Sequence, residues 1–169
     1  MLFRSTVPPP SGAPPEERRE NACHNGTVTT TDPIHGALTD QRWADALELI
    51  HAEAQADWTP ALLEHLALAT YGAGDFEGAV AAWEDQHRLL LSVGDPSGAS
   101  RAAAMVAMFL MIDTGLMAPV RGWLRRAEAL LDGNPPGPVH ALVAAVRTYE
   151  RFMCGDVDAA RRQIGRAHV

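Results

Sequence analysis

The sequence predicts an all-α fold, an α-solenoid of antiparallel helix pairs that follows a disordered leader. Three observations predict it: alanine and leucine recur at helical spacing from Thr39 onward, the interruptions fall at glycine or proline, and one apolar pattern repeats along the chain. The chain has 169 residues, of which 47% are hydrophobic and 21% are charged. This composition is typical of a globular protein and allows one well-buried core.

Residues 1–38 form the predicted leader. This segment holds six of the twelve prolines and the polar run from Thr27 to Asp32, and it shows little apolar periodicity. Such a segment buries too little surface to offset the conformational entropy that folding removes. We therefore expect disorder over 1–38 and a helical repeat domain over 39–169.

Six helices and the start of a seventh are predicted within the repeat domain. Asp95 followed by Pro96 is a typical helix start, since an N-cap carboxylate accepts hydrogen bonds from exposed amides and proline suits the first helical position. Gly74, Gly115 and Gly155 each lie between two helices, where a positive φ lets the chain reverse. The predicted helices span about 40–55, 60–73, 76–92, 97–113, 117–132 and 139–154, followed by one from about 157.

These three glycines also set the phase of an internal repeat. Apolar residues follow each glycine at the second, fifth and ninth positions, and the same spacing occurs once upstream. The repeated positions are Trp43, Ala46 and Ile50; Phe76, Ala79 and Trp83; Met117, Val120 and Leu124; and Val157, Ala160 and Ile164. Successive copies of the first position lie 33, 41 and 40 residues apart, a period typical of an α-solenoid with two helices per unit. We expect burial of Trp43, Phe76, Trp83, Leu124 and Ile164 between the helix layers.

The unit from residue 63 to residue 83 resembles a tetratricopeptide (TPR) repeat. The residues that carry this resemblance are Leu63, Leu66, Ala67, Gly74, Phe76, Ala79 and Trp83. In this order, the segments 74–79 (GDFEGA), 92–99 (SVGDPSGA) and 122–128 (GWLRRAE) resemble the TPR region of bacterial, especially actinobacterial, LuxR-type transcriptional regulators. The resemblance covers about residues 39–169. It implies a non-catalytic binding scaffold, the sensory or protein-interaction segment of such a regulator.

Two features depart from that family. Its members end in a helix-turn-helix DNA-binding domain, and the residues after Gly155 are too few for one. The chain is therefore expected to be a regulator segment without its DNA-binding domain or a stand-alone TPR adaptor. The first unit should begin with a helix over about 24–38, but Gly26, Pro33 and Gly36 interrupt that stretch, so we expect only a half-unit there.

The sequence also bears on catalysis. The seven histidines include no pair at positions i and i+4, and the two cysteines, Cys23 and Cys154, lack the paired spacing of a zinc site. Gly72, Gly74 and Gly78 resemble a glycine-rich phosphate loop, but such a loop follows a strand, and the preceding residues have helical character. We expect no enzyme activity, no cofactor and no metal. The alternative is a nucleotide- or cofactor-binding enzyme domain that uses the glycine cluster 72–78.

Overall charge, hydropathy and cysteine content predict whether the chain binds nucleic acid and in which compartment it is found. With a net charge of −7 and a pI near 5.4, it is not expected to bind nucleic acid directly. The N-terminus lacks the apolar stretch of a signal peptide, and the longest apolar run, 102–112, is too short to cross a membrane. Together with the low cysteine content, these features predict a cytoplasmic protein.

Charge is unevenly distributed along the chain, with a net charge of −10 over residues 1–100 and +3 over residues 101–169. Arginines of the second half form three pairs at i and i+4, which places both members on one side of a helix: Arg121 and Arg125, Arg147 and Arg151, and Arg162 and Arg166. One interpretation is a surface that binds an acidic partner or the acidic half of a second copy. The other is a solvated face whose arginines pair with acids of neighbouring helices. Separately, the concave face of the scaffold is expected to bind a protein or peptide partner or a small effector.

The last helix has no following helix to cover it, so we expect either fraying after about Gly165 or an exposed apolar strip on the C-terminal helices. Such a strip would pair with another copy of the chain or with a missing segment.

Overall fold

The computed structural model describes residues 31–53 and 58–166. Within these two ranges the chain forms eight helices and no strand, which confirms the predicted all-α class. The helices are α1 (Thr31–Thr39), α2 (Trp43–His51), α3 (Pro60–Gly72), α4 (Phe76–Ser92), α5 (Pro96–Asp113), α6 (Met117–Leu131), α7 (Pro138–Met153) and α8 (Val157–Arg166). No helix among them is both long enough and apolar enough to span a bilayer. The disorder expected for residues 1–30 lies outside the described residues.

The helix starts follow local signals that the sequence contains. Three aspartates each accept a hydrogen bond from the backbone N–H three residues later, at 2.8–3.0 Å: Asp75, Asp95 and Asp156. The positive φ predicted at Gly74, Gly115 and Gly155 is confirmed, with values of 86°, 64° and 77°. Because these signals are local, the ends of α3 to α7 and the start of α8 agree with the predicted ones to within one residue. Helix α2 is shorter than predicted, since it begins only at Trp43 and ends at His51.

The core is a row of interfaces between helices that are consecutive in the chain. Every helix packs against the next one, and α1 also contacts α3 and α5 also contacts α7. Helix α5 lies at the centre, between α4, α6 and α7. Its fully buried small side chains are Ala99, Ser100, Ala102, Ala103, Ala104 and Ala107. Small side chains on several faces let the neighbouring helices approach closely while the interior stays densely packed.

The structure differs from the leader expected to extend to residue 38, because α1 occupies its last residues. Ile34 and Ala37 are completely buried against α2 and α3. Pro33 lies in the first turn of the helix, where a backbone N–H has no helical partner to lose. Gly36 costs about 1 kcal/mol relative to alanine, and the buried Ile34 side chain contributes about 1.5–3 kcal/mol. Helix α1 therefore packs against α2 where the sequence predicted disorder up to residue 38, and that part of the prediction is wrong. The expected half-unit stays a prediction, because residues 24–30 of its leading helix lie outside the described residues.

The five side chains predicted to be buried have different outcomes. Trp83 and Leu124 are buried, which confirms the prediction for them. Trp43 and Phe76 are only half-buried. The ring of Phe76 meets Tyr71 of α3 edge-on at 5.2 Å between centroids, and the ring of Trp43 lies against Gly72. The side chain of Ile164 lies outside the described residues.

Candidate functional site

A cavity of about 630 Å³ lies between α6, α7 and the start of α8. We call it the arginine cleft, and its lining consists of Arg121, Arg125, Glu128, Arg147, Glu150, Arg151, Asp156, Ala159 and Arg162. Five of the six arginines singled out in the sequence belong to this lining. The side chain of the sixth, Arg166, lies outside the described residues. Arginines that the sequence distributes over three helices are thus brought together at one place.

Glu150 is the most deeply buried side chain of the cleft, only 1% exposed. It projects from α7, and the Nε of Arg121 on α6 donates to its Oε1 at 2.6 Å. Arg147 and Arg151 bring guanidinium nitrogens within 3.6 Å and 3.7 Å of its Oε2. Burial opposes its ionisation, but the hydrogen bonds from Arg121 and Cys154 and the charges of Arg121 and Arg147 outweigh burial. The pKa of Glu150 is therefore held below its ordinary value of 4.5.

A second carboxylate fixes the guanidinium of Arg147 from the opposite wall. Glu128 on α6 accepts two hydrogen bonds from Arg147 on α7, from Nε at 2.9 Å and from Nη2 at 2.7 Å. This fork-to-fork geometry is the strong form of the arginine–carboxylate pair, and the hydrogen bonds to Glu128 raise the pKa of Arg147. Arg147 thus joins α6 to α7 and contacts both buried Glu150 and exposed Glu128.

The turn between α7 and α8 closes one end of the cleft. Asp156 accepts from the backbone N–H of Ala159 at 3.0 Å, and its second oxygen lies 3.5 Å from Arg151. Cys154 receives a hydrogen bond from Arg121 at 3.1 Å, measured from Nη2 to Sγ. These contacts attach the turn to α6 and α7 and determine where α8 begins.

Arg125 and Arg162 complete the set of cations. Arg125 lies one turn after Arg121, and its Nε donates to the backbone oxygen of Arg121 at 3.3 Å. Within the described ranges, neither Arg125 nor Arg162 lies within ion-pair distance of a carboxylate, whereas the other three arginines of the cleft do. Five guanidinium groups and three carboxylates line the cleft, so its formal charge is +2.

The chemical capacity of the cleft is recognition of negative charge. A guanidinium presents N–H donors in a planar fork that fits the oxygens of a carboxylate or a phosphate, and it stays protonated at neutral pH. Ala159 is the only uncharged residue of the lining. The walls therefore favour a polar, negatively charged ligand over an apolar one.

Sequence reasoning identified the arginines of this site but not its acids or Cys154. Glu150 had a local signal, because it lies three residues after Arg147 and directly before Arg151. Glu128 reaches Arg147 from another helix, 19 residues away along the chain. Asp156 follows Arg151 by five residues but lies in the turn after α7, outside the i+3 and i+4 spacing of a helix face. Three of these arginines pair with nearby acids, as the interpretation as a solvated face expects. The interpretation as a surface for an acidic partner stays a prediction.

The glycine cluster 72–78 is used in packing and in turn formation. The carboxylate of Asp75 accepts from the N–H of Gly78 at 2.8 Å, so it occupies the place at the start of α4 where a phosphate would bind. The indole of Trp43 lies so close to Gly72 that a Cβ there would overlap the ring. These contacts weigh against the nucleotide-binding alternative.

A second groove of about 560 Å³ lies between α4 and α6. His87 in this groove lies with Nδ1 2.8 Å from the backbone oxygen of Ala99, and its ring meets Trp123 edge-on at 5.3 Å between centroids. The guanidinium of Arg126 covers the Trp123 ring at 4.6 Å. His87 and Arg126 thus already have partners within the protein, His87 on two other helices and Arg126 on its own. Within the residues described, no three His, Cys, Asp or Glu side chains are grouped so that they could hold a metal ion.

Comparisons of the chain with protein-family models, with curated proteins and with solved structures find no match.

Proposed function

We propose that this chain is a non-catalytic scaffold of TPR-like antiparallel helix pairs that binds an acidic segment of a protein partner in the arginine cleft. The contacts between helices support the scaffold, because each helix packs against its successor and α1 contacts α3 and α5 contacts α7. Side chains also join α3 to α5, through the Glu64–Arg101 pair and the Tyr71–Phe109 ring contact. Stacked pairs α1–α2, α3–α4, α5–α6 and α7–α8 would produce such contacts.

The observation that carries the proposal is the convergence of five arginines from α6, α7 and α8 on one cavity. A cluster of cations in a concave site attracts and orients negatively charged groups more strongly than the same cations dispersed over a surface. Arg121 and Arg147 are held by Glu150 and Glu128 and fix the walls of the cleft, whereas Arg125 and Arg162 carry its excess positive charge. Arginine clusters are typical of sites that recognise acidic or phosphorylated motifs.

Fluorescence anisotropy with a fluorescein-labelled hexaglutamate peptide tests this proposal. We expect saturable binding that weakens as salt is added, because the interaction is between exposed charges. The double variant Arg125→Glu, Arg162→Glu should weaken binding at least tenfold. The matched control is Arg88→Glu, Arg161→Glu, which changes the net charge equally at exposed positions outside the cleft. Equal losses in both variants, or no binding to the unmodified protein, would exclude the cleft as the binding site.

The family assignment belongs to the same proposal. The segments 74–79, 92–99 and 122–128 support a sensory or protein-interaction segment of a LuxR-type regulator, with a stand-alone TPR adaptor as the alternative. The coding sequence beyond the codon for Val169 distinguishes the two. A helix-turn-helix encoded there is expected for the regulator, and a stop codon is expected for the adaptor.

Self-association through the C-terminal helices is a further part of the proposal. Four large apolar side chains near the α7–α8 turn are between 42% and 57% exposed: Tyr149, Phe152, Met153 and Val157. Exposed apolar residues grouped in this way favour contact with another surface. Static light scattering should show an apparent mass that rises with concentration. Replacing Phe152 with serine should reduce this rise, whereas the same change at exposed Leu116 should not.

A further inference from the structure

The charges inside the arginine cleft are unequally satisfied. Glu128 holds Arg147 through two hydrogen bonds, and Glu150 holds Arg121 through a third. Asp156 lies 3.5 Å from Arg151. Each of the three carboxylates thus already engages an arginine, and these three pairs have no net charge to offer a ligand.

Arg125 and Arg162 provide the positive charge that remains for a ligand. In the part of the chain that the structure describes, no carboxylate lies within ion-pair distance of either side chain. Arg125 uses its Nε on the backbone oxygen of Arg121, which leaves both terminal amino groups as donors into the cleft. The two residues come from α6 and α8, so a ligand between these helices would be contacted from two sides.

We infer that the arginine cleft binds a phosphate monoester, with Arg125 and Arg162 as its anchors. The inference rests on the proposed function, since it names the chemical group that the same cleft recognises. A phosphate monoester concentrates up to two negative charges on three acceptor oxygens, and this matches two guanidinium forks. A single carboxylate supplies half of that charge and only two oxygens.

The dimensions and the walls of the cleft agree with such a ligand. A volume of about 630 Å³ is that of a typical small-molecule pocket and exceeds what a phosphoryl group alone requires. The rest of the ligand would therefore enter the cleft as well. It would meet charged walls, so it should be polar. Both a phosphorylated small molecule and a phosphoserine of a protein partner present this group.

The test uses isothermal titration calorimetry of the whole chain with three probes. The first is a pentapeptide with phosphoserine flanked by two alanines on each side, the second is the same peptide with aspartate in place of phosphoserine, and the third is phenyl phosphate. We expect the phosphoserine peptide to bind at least about tenfold more tightly than the aspartate peptide at pH 7.5, because a second charge-assisted pair forms.

The pH dependence gives an independent readout. Histidine is the side chain whose ordinary pKa falls between pH 5 and 8, and the lining of the cleft contains none. His140 lines a neighbouring depression that shares Glu128 with the cleft. A phosphate monoester gains its second charge near pH 6, so affinity for the phosphoserine peptide should rise about fourfold from pH 5.5 to pH 7.5. The aspartate peptide reports any contribution of His140 and should show no such rise.

Variants locate the site. Arg125→Ala and Arg162→Ala should each weaken binding of the phosphoserine peptide about tenfold or more. Arg161→Ala is the matched control, because Arg161 precedes Arg162 on the same helix, is exposed and does not line the cleft. It should change affinity less than about twofold, as expected of an exposed charge that makes no direct contact. Circular dichroism of the three variants is the control for folding and should show unchanged helix content.

The outcomes separate this inference from the proposed function. Equal affinity for the phosphoserine and aspartate peptides, or affinity that does not change with pH, overturns the phosphate inference, while cleft-dependent binding of hexaglutamate would still support an acidic partner. Absence of binding by every acidic probe overturns both. If the phosphoserine peptide is preferred, phenyl phosphate identifies the source: equal affinity indicates a phosphorylated small molecule, and much weaker affinity indicates a phosphoprotein.

Discussion

Replacing Glu150 with glutamine should destabilise the fold, although the two side chains have nearly the same size. The carboxylate is 1% exposed, accepts from Arg121 at 2.6 Å and lies within 4 Å of Arg147 and Arg151. Glutamine keeps one acceptor oxygen but removes the charge, so three guanidinium groups would face one another around a neutral amide.

The magnitude follows from two limits. Removing one partner of a fully buried ion pair costs about 3–5 kcal/mol, and exchanging a charge-assisted hydrogen bond for a neutral one costs about 1 kcal/mol. Glu150 is buried, but the side chains of Arg121 and Arg151 are 50% and 47% exposed, so water screens part of their repulsion. We therefore expect the free energy of unfolding to fall by about 2 kcal/mol, between those limits. The melting temperature should fall by roughly 6–8 °C.

The difference between the two proteins should depend on pH in one direction. Because the folded state holds the pKa of Glu150 below 4.5, its carboxylate stabilises the fold fully above that pH and loses its contribution as pH falls through the folded-state pKa. Urea denaturation at pH 7 and at points from pH 5 to 3 should show a constant difference above pH 5 that shrinks in more acidic solution.

Glu48→Gln is the matched control for Glu150→Gln. It removes the same charge from an exposed position on α2 and should change stability by less than about 0.5 kcal/mol. If Glu150→Gln changes stability no more than this control, or if the difference between wild type and variant stays constant down to pH 3, then Glu150 does not hold the arginines as argued above.

Three substitutions test the packing and the turns, each measured by urea denaturation. Ala79→Leu should cost about 1–3 kcal/mol, because Ala79 is fully buried and the core must shift to admit the larger side chain; a change within 0.5 kcal/mol would contradict tight packing there. Asp95→Ala should cost about 1 kcal/mol, since the N–H of Gly98 loses its capping acceptor, and an unchanged midpoint would show that the cap contributes little. Gly72→Ala should lower the free energy of unfolding more than Gly122→Ala, because the added Cβ at Gly72 overlaps the Trp43 ring, whereas no atom lies near a Cβ at Gly122. Equal losses in the two variants would contradict the contact between α2 and α3.

Signals that act within one turn of chain made most of the fold predictable. Asp95 with Pro96 marks the start of α5, and the glycines before Asp75 and Asp156 mark the reversals into α4 and α8. Helix α1 was not predicted from the sequence, because the prediction used the same local rules. Pro33 and Gly36 are breakers by local rules, and only the burial of Ile34 against α2 and α3, a contact between distant residues, overrides them.

The candidate site was predictable to the extent that it depends on spacing. Residues at i and i+4 share a helix face, so the pairs Arg121–Arg125 and Arg147–Arg151 could be placed on single faces. Which acid meets which arginine depends on how α6 and α7 are rotated against each other. That rotation is determined by side-chain packing in the core, and nothing in the spacing of charges along the chain specifies it.

The count of arginines in the second half of the chain therefore overstates the charge that a ligand can meet. Arg101 is engaged by Glu64 of α3, and Arg126 lies over the ring of Trp123, so both are used where helices pack. Within the cleft, three more arginines are used to hold acids that shape its walls. The charge that a ligand can meet is therefore the number of cations minus the number of acids in the lining of the cleft, not the net charge of residues 101–169. In the binding mode proposed above, Arg125 and Arg162 are therefore the anchors of the anion, and Glu150 holds the arginines that form the walls of the cleft.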